Sequence, residues 1–193
     1  MTAPNHQAHK RFPEKLAFTL DNRIRRFLEP PEELISKLDL RKNDVIIDFG
    51  CGPGFYTIPI ARTVTRTIAV DVSARMLERT GSNAKKNGVI VELLRSDGTD
   101  LELADQSVDL IFLNHVFHEI TNRSKVLGEF LRILKRNGRL VVVERTRGGL
   151  LAGKFGPPII DATEVSRDIQ HAGFTRIQTI LHGSNSVLIS QKP

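Results

Sequence analysis

The sequence predicts an α/β fold, a doubly wound and mostly parallel sheet of seven strands with one antiparallel strand. Three observations carry that reading. Short apolar runs rich in β-branched residues alternate with amphipathic stretches from Val45 onward, the pattern of successive strand–helix units whose strands are buried on both faces. The first run, Val45 to Ile47, ends in Asp48 and then places Gly50, Gly52 and Gly54 at alternate positions around Pro53, ahead of an amphipathic run from Tyr56 to Ala61. Such a strand–turn–helix corner lets a ligand lie against bare backbone, because glycine has no Cβ and accepts positive φ. Finally, Phe174–Leu181 and Ser186–Ser190 are joined by His182-Gly183-Ser184-Asn185, a loop short enough to make those two strands antiparallel to each other.

Size and composition set the bounds. The 193 residues suit one domain with a substantial core; residues 1–40 read as an N-terminal helical lid and 41–193 as the core. No run nears the roughly 18 apolar residues of a membrane helix. The opening MTAPNHQAHKRF has no apolar stretch after its charges, unlike a secretory signal. The single cysteine, Cys51, excludes an internal disulfide and a multi-cysteine zinc site. These features together predict a cytoplasmic protein with no membrane span. The net charge of +6 invites a nucleic-acid partner. Yet the basic residues are spread from Arg23 to Lys154 and sit largely where helix ends want cations, so nucleic acid is the less favoured partner.

In order, Phe12 to Leu28 has apolar residues about one helical turn apart, and Pro30-Pro31 stops it and opens a helix carrying Leu34, Ile35 and Leu38. After the glycine corner, Pro59 predicts a kink or a late helix start. Thr67–Val70 is the second strand, ending at Asp71; Ser73 caps the next helix and Asn87-Gly88 stops it. Val89–Leu94 and Val108–Leu113 are the third and fourth strands. Leu127, Phe130, Leu131 and Leu134 keep helical spacing, with Lys135 and Arg136 in the last turn and Asn137-Gly138 as the stop. Leu140–Val143 is the fifth strand. Asp161 with Glu164 predicts a capping box, and Gly173 the end of that helix.

Glycine spacing narrows the ligand. A dinucleotide fingerprint requires G-x-G-x-x-G, and its third glycine would fall on Phe55. The pattern present, Asp48-x-Gly50-x-Gly52-x-Gly54, resembles motif I of the class I S-adenosylmethionine-dependent methyltransferases. Acidic ends to strands two and three (Asp71 and Asp97-Gly98), the segment VDLIFLNHVFHEI and the segment GRLVVVE follow in that family's order. Ala8-His9-Lys10, Phe117–Ile120 and Gly156-Pro157-Pro158 look like a subgroup related to ubiquinone/menaquinone-biosynthesis methyltransferases. The resemblance implies the Rossmann-like methyltransferase sheet, its last strand inserted against the others, and S-adenosylmethionine as cofactor. It implies a cofactor site formed by Asp48, Gly50, Cys51, Gly52, Gly54, Tyr56, Asp71, Val72, Asp97, Gly98 and Asn114. Asp71 would accept the ribose hydroxyls, Asp97 the adenine amino group, and the Asn114 carbonyl would face the α-amino group.

Methyl transfer from a sulfonium is an in-line displacement in which the protein chiefly positions the reactants and excludes water. A base is needed only where the acceptor must lose a proton. His115 and His118 are the candidates, with packing or capping as their structural alternative; the helical H-E-x-x-H zinc pattern is absent and no metal is expected. Residues 1–30 and 147–160 have no place in the sheet and read as lids over the strand ends, with Phe12, Phe18, Phe155 and Pro157 lining an acceptor pocket. Their shortness fits a compact small-molecule acceptor, or a homodimer in which a second subunit completes the site. An RNA methyltransferase and a non-catalytic S-adenosylmethionine-binding protein are the alternatives.

Overall fold

The computed structural model describes residue 26, residues 30–146 and residues 159–193. Expectations for the first helical stretch, and for Phe12, Phe18, Phe155 and Pro157 as pocket lining, lie outside those residues. Numbered along the chain, the strands are β1 (Val45–Phe49), β2 (Arg66–Asp71), β3 (Glu92–Arg95), β4 (Val108–Asn114), β5 (Leu134–Arg145), β6 (Thr175–His182) and β7 (Asn185–Gln191). They form one sheet in the order β3-β2-β1-β4-β5-β7-β6. Every neighbouring pair from β3 to β5 is parallel, and β7 runs antiparallel to both β5 and β6. The expected sheet, with its last strand inserted and reversed, is thus present.

Chain order fixes where a ligand can sit. From β1 the chain moves outward to β2 and β3, then returns to the other side of β1 to lay down β4 and β5. The crevice at the carboxyl ends of β1 and β4 is the switch point of the sheet, where doubly wound folds bind ligands.

Helices cover both faces. On one, α1 (Pro31–Ser36) and α2 (Thr57–Thr63) bury Leu34, Ile35, Leu38 and Ile60 against Ile46, Phe112, Val141 and Val143. On the other, α4 (Arg123–Ile133) and α5 (Ala162–His171) bury Phe130 and Ile169 against Ile47, Ile111, Leu113 and Val142. Between them in sequence, α3 (Ala74–Lys86) lays Leu77 on Ala69 of β2. Strand residues 46, 110 and 112 facing one core and 47, 111 and 113 the other is period-two alternation with both faces apolar.

Signals confined to neighbouring residues match the structure. Pro31 opens α1, the Ser73 side chain caps α3, and Asn87-Gly88 closes it with Gly88 at φ +66°. Pro59 is the third residue of α2, inside the first turn where its missing N–H costs no helical bond; the late start accounts for it and no kink is needed.

Elsewhere tertiary pairing overrides the pattern. Residues 31–40 are core rather than lid, since Leu34 and Leu38 are fully buried and the Leu38 carbonyl accepts from Arg139. The third strand starts at Glu92, not Val89, because the Val89 N–H is spent on the Ala84 carbonyl in closing α3. The helix expected to reach Arg136 stops at Ile133. Leu134 turns extended to pair with Val108, and the Lys135 ammonium lies 2.7 Å from Asp109 instead of over the helix end. The capping box at Asp161 is half made: its carboxylate accepts from the Thr163 N–H, while Glu164 pairs with Arg123. In the closing hairpin His182 and Asn185 are themselves paired, leaving a two-residue turn.

Candidate functional site

The three glycines of the corner have different tasks. Gly50, at φ +70°, is where the segment after β4 lies against the loop: a Cβ there would come within 2.3 Å of the Val116 side chain. Gly54, at φ +92°, lies against Thr80 of α3, 3.3 Å from where a Cβ would be. Gly52, at φ +53°, faces open space, with nothing within 4 Å of where a Cβ would stand. Of the three, Gly52 is the surface a ligand can touch.

Asp71 stands beside it. One carboxylate oxygen accepts from the Gly52 N–H at 2.9 Å and the other from the Ser73 N–H at 2.9 Å. Helix capping falls to Ser73, so Asp71 is not the cap. It locks the glycine turn to the end of β2 and carries charge to the rim, next to the exposed Val72. Below the turn, Asp48 is buried and accepts a short hydrogen bond from the Thr57 hydroxyl. Burial pushes its carboxyl up to about 7; the Thr57 hydrogen bond opposes this and the Asp71 charge adds to it. Cys51 gives its N–H to the Val70 carbonyl and packs with Ala69 and Leu77, and burial pushes its thiol up. Its side chain is a small buried filler beneath the turn. Tyr56 belongs to the core as well: 3% exposed, its ring packs on Phe55 and Phe112.

At the end of β3, the backbone and hydroxyl of Thr99 both donate to Asp97 Oδ1, which holds that exposed carboxyl below its usual range. Gly98, at φ +86°, lets this turn close over Phe49, whose ring lies 2.6 Å from where a Cβ would stand. At the end of β4, Asn114 Oδ1 is buried with no hydrogen-bond partner. It is an acceptor awaiting a donor.

Beyond β4 the chain crosses the switch point as His115 (φ +56°), Val116 and a 3₁₀ turn, Phe117–Glu119. Both histidines converge on a residue that sequence reasoning did not single out, Glu144 near the end of β5. Its side chain is fully buried. His118 Nδ1 lies 3.2 and 3.1 Å from its two oxygens, the His118 backbone N–H donates to it at 3.3 Å, and His115 Nδ1 is 3.8 Å away. Burial alone would raise the Glu144 carboxyl, but the two imidazoles outweigh it and hold it near 2. An ionised carboxylate only accepts, so His118 Nδ1 carries the hydrogen that faces it. The only sequence signal for Glu144 was an acid ending the otherwise apolar VVVE.

Known proteins share this fold. A family model described as a methyltransferase domain matches residues 47–142, which includes the glycine corner, Asp71, Asp97 and the histidine segment. A crystal structure of an S-adenosylmethionine-dependent methyltransferase from Aquifex aeolicus superposes with a TM-score of 0.85 over 95% of this chain and 100% of that one, at 25% identity. The chain belongs to the class I S-adenosylmethionine-dependent methyltransferases. Curated relatives of this chain include the ubiquinone/menaquinone biosynthesis C-methyltransferase of Campylobacter jejuni, 29% identical over 61% of this chain and 53% of that protein. The demethylmenaquinone methyltransferase of Lactobacillus johnsonii is 27% identical over 60% and 50%. The chain spans about half the length of these curated relatives.

S-adenosylmethionine is the cofactor of this methyltransferase family, and the residues present fit it. No protein atom stands over Gly52 where its amino-acid end would lie, the buried Asn114 Oδ1 would accept from its ammonium, and the Asp71 carboxylate would accept from its ribose diol. Among the described residues no helix is long and apolar enough to cross a membrane.

Proposed function

We propose that this protein is a cytoplasmic enzyme that transfers a methyl group from S-adenosylmethionine to a small-molecule acceptor. The observation that carries the reading is the open face of Gly52, flanked by Asp71, in a turn whose Gly50 packs on Val116 of the segment that bears His115 and His118. The cofactor supplies an electrophilic methyl carbon on a sulfonium. The chain's own tasks are to hold and orient. Gly52 and Asp71 fix the two ends of the donor, and Asp97-Gly98 borders its base. Val116, packed onto Gly50, fixes the acceptor-side segment relative to the glycine turn.

Support for a small acceptor comes from the quinone-biosynthesis names of the relatives. The test is methyl transfer from tritiated S-adenosylmethionine to separate pools of small metabolites, demethylated hydroquinones and RNA. Label entering the small-molecule pools is the expected result. Label entering RNA alone would contradict the reading, and binding without transfer to any pool would make the chain a cofactor-binding module.

A further inference from the structure

We infer that Arg145, with Asn185 and His182 in the strands beside it, forms a subsite for a carboxylate, and that the methyl acceptor is a small molecule bearing that group. Calling the occupant the acceptor rests on the methyltransferase reading; the subsite itself does not.

The register of the sheet puts these side chains together. Arg145 is paired with Asn185 of β7, and Asn185 with His182 of β6. Residues directly opposite one another across strands share a face. Two residues away along each strand stand Val143, Val187 and Ile180, which belong to the core beneath α1 and α2. The three polar side chains therefore form one row on the α1 face, at the carboxyl end of β5. Asn185 and His182 are buried. His182 Nδ1 lies 3.8 Å from Glu33 of α1, whose carboxylate is already held by Lys37 at 2.8 Å. Two nitrogens of the row, Arg145 Nε and His182 Nε2, are buried with no hydrogen-bond partner. Among the described residues no carboxylate pairs with the Arg145 guanidinium. A cationic donor shut off from water and left unpaired destabilises the fold, and a bound anion would relieve that.

The same register connects the row to the donor corner. Phe49 of β1 is opposite Leu113 of β4, and Asn114 is opposite Val143 of β5. The glycine turn after Phe49, then Asn114, then Arg145 thus follow one another across three adjacent strand ends. Asn114 continues the face of Leu110 and Phe112, which is again the α1 face. Strand spacing and rise put its Cα about 8 Å from that of Arg145. An acceptor lying across β4 and β5 would reach from the donor at one end to Arg145 at the other. Carboxylate is the group that fits. It offers two parallel acceptors to the guanidinium fork, and its single charge matches one arginine, whereas a phosphate monoester carries more. No bond is made or broken at Arg145, which binds and orients the acceptor.

The test reads Arg145 directly in the full chain. Protein labelled with 15N at arginine is saturated with S-adenosylhomocysteine and titrated with benzoate, benzamide and phenyl phosphate. The Nε–H signal lost in Arg145→Met is the one followed. Benzoate should move that signal while S-adenosylhomocysteine stays bound. Its affinity by calorimetry should fall at least about tenfold in Arg145→Met, with S-adenosylhomocysteine affinity unchanged. Benzamide, of the same shape without the charge, should bind at least about tenfold more weakly than benzoate. Label passed from tritiated S-adenosylmethionine to a pool of small metabolites should be retained on an anion exchanger, and Arg145→Met should reduce it. Benzoate that leaves the Nε–H signal in place, tighter binding of benzamide or phenyl phosphate, displacement of benzoate by S-adenosylhomocysteine, or labelled product that passes the exchanger each overturns the inference. A lower melting temperature in Arg145→Met with benzoate affinity unchanged marks a structural arginine and overturns it too. Failure to bind S-adenosylhomocysteine, or binding without any labelled product, would instead sink the methyltransferase reading, and benzoate on Arg145 would still establish the carboxylate subsite.

Discussion

Two glycines, two residues apart, should fail in opposite ways when given a methyl group. In Gly52→Ala the new Cβ meets no protein atom, so the fold bears only the left-handed backbone at φ +53°. That strain costs about 1–2 kcal/mol for an L-residue, which in a domain of this size lowers the melting temperature by roughly 2–8 °C. The same methyl group protrudes into the space assigned to the amino-acid end of the donor, and S-adenosylhomocysteine affinity should drop by at least about tenfold, or 1.4 kcal/mol. Gly50→Ala has φ +70° and a Cβ 2.3 Å from Val116. It adds an overpacking cost of about 1–3 kcal/mol to a similar backbone penalty, and should be the less stable of the two. Calorimetric titration with S-adenosylhomocysteine and thermal melts of both variants make the comparison. A Gly52→Ala protein that melts a few degrees low yet binds with unaltered affinity would refute the assignment of that face to the ligand.

Other consequences are also measurable. Asp71→Ala should weaken donor binding by about 1.5–3 kcal/mol, the loss expected for hydrogen bonds to a charged group; titration with adenosine and with methionine should place the loss in the adenosine half. Asp48 is held near 7 by burial, well above an unfolded aspartate. The folded state therefore keeps its proton longer, and stability from this group falls as pH rises from about 4 to 7. Asp48→Asn should flatten that slope in melts taken across the range, and an unchanged slope would show that Asp48 does not cause it. Glu144 has the opposite sign. Its carboxyl is held near 2, so its contribution is complete above the unfolded value near 4.5 and lost as pH falls toward 2; Glu144→Gln should remove that acid sensitivity.

How much of this was legible in the sequence follows from the range of each interaction. The glycine corner, the Asp71 strand end and the Ser73 cap are local, each set by residues within a few positions, and each could be read directly. Alternation of strand and helix pointed to a parallel doubly wound sheet and the short hairpin to an antiparallel pair, while the insertion of the last strand between β5 and β6 came from the family resemblance. The end of α4 could not be read, because Leu134 leaves a favourable helical pattern to pair with Val108, a residue 26 positions earlier. Gly50 and Gly52 look alike as letters; only the position of Val116 separates a packing glycine from a ligand-facing one. Glu144 was invisible for the same reason. A charge at the end of an apolar strand ordinarily reaches solvent, and what buries this one is the parallel pairing of β4 with β5, which sets Asn114 opposite Val143 and carries His115 and His118 onto the next carboxylate.

The most direct measurement of the central claim is a crystal structure of the protein with S-adenosylhomocysteine. The account predicts its ribose hydroxyls on the Asp71 carboxylate and its amino-acid end against the Gly52 backbone. A ligand bound elsewhere on the sheet, or a Gly52 face closed by protein side chains, would contradict it.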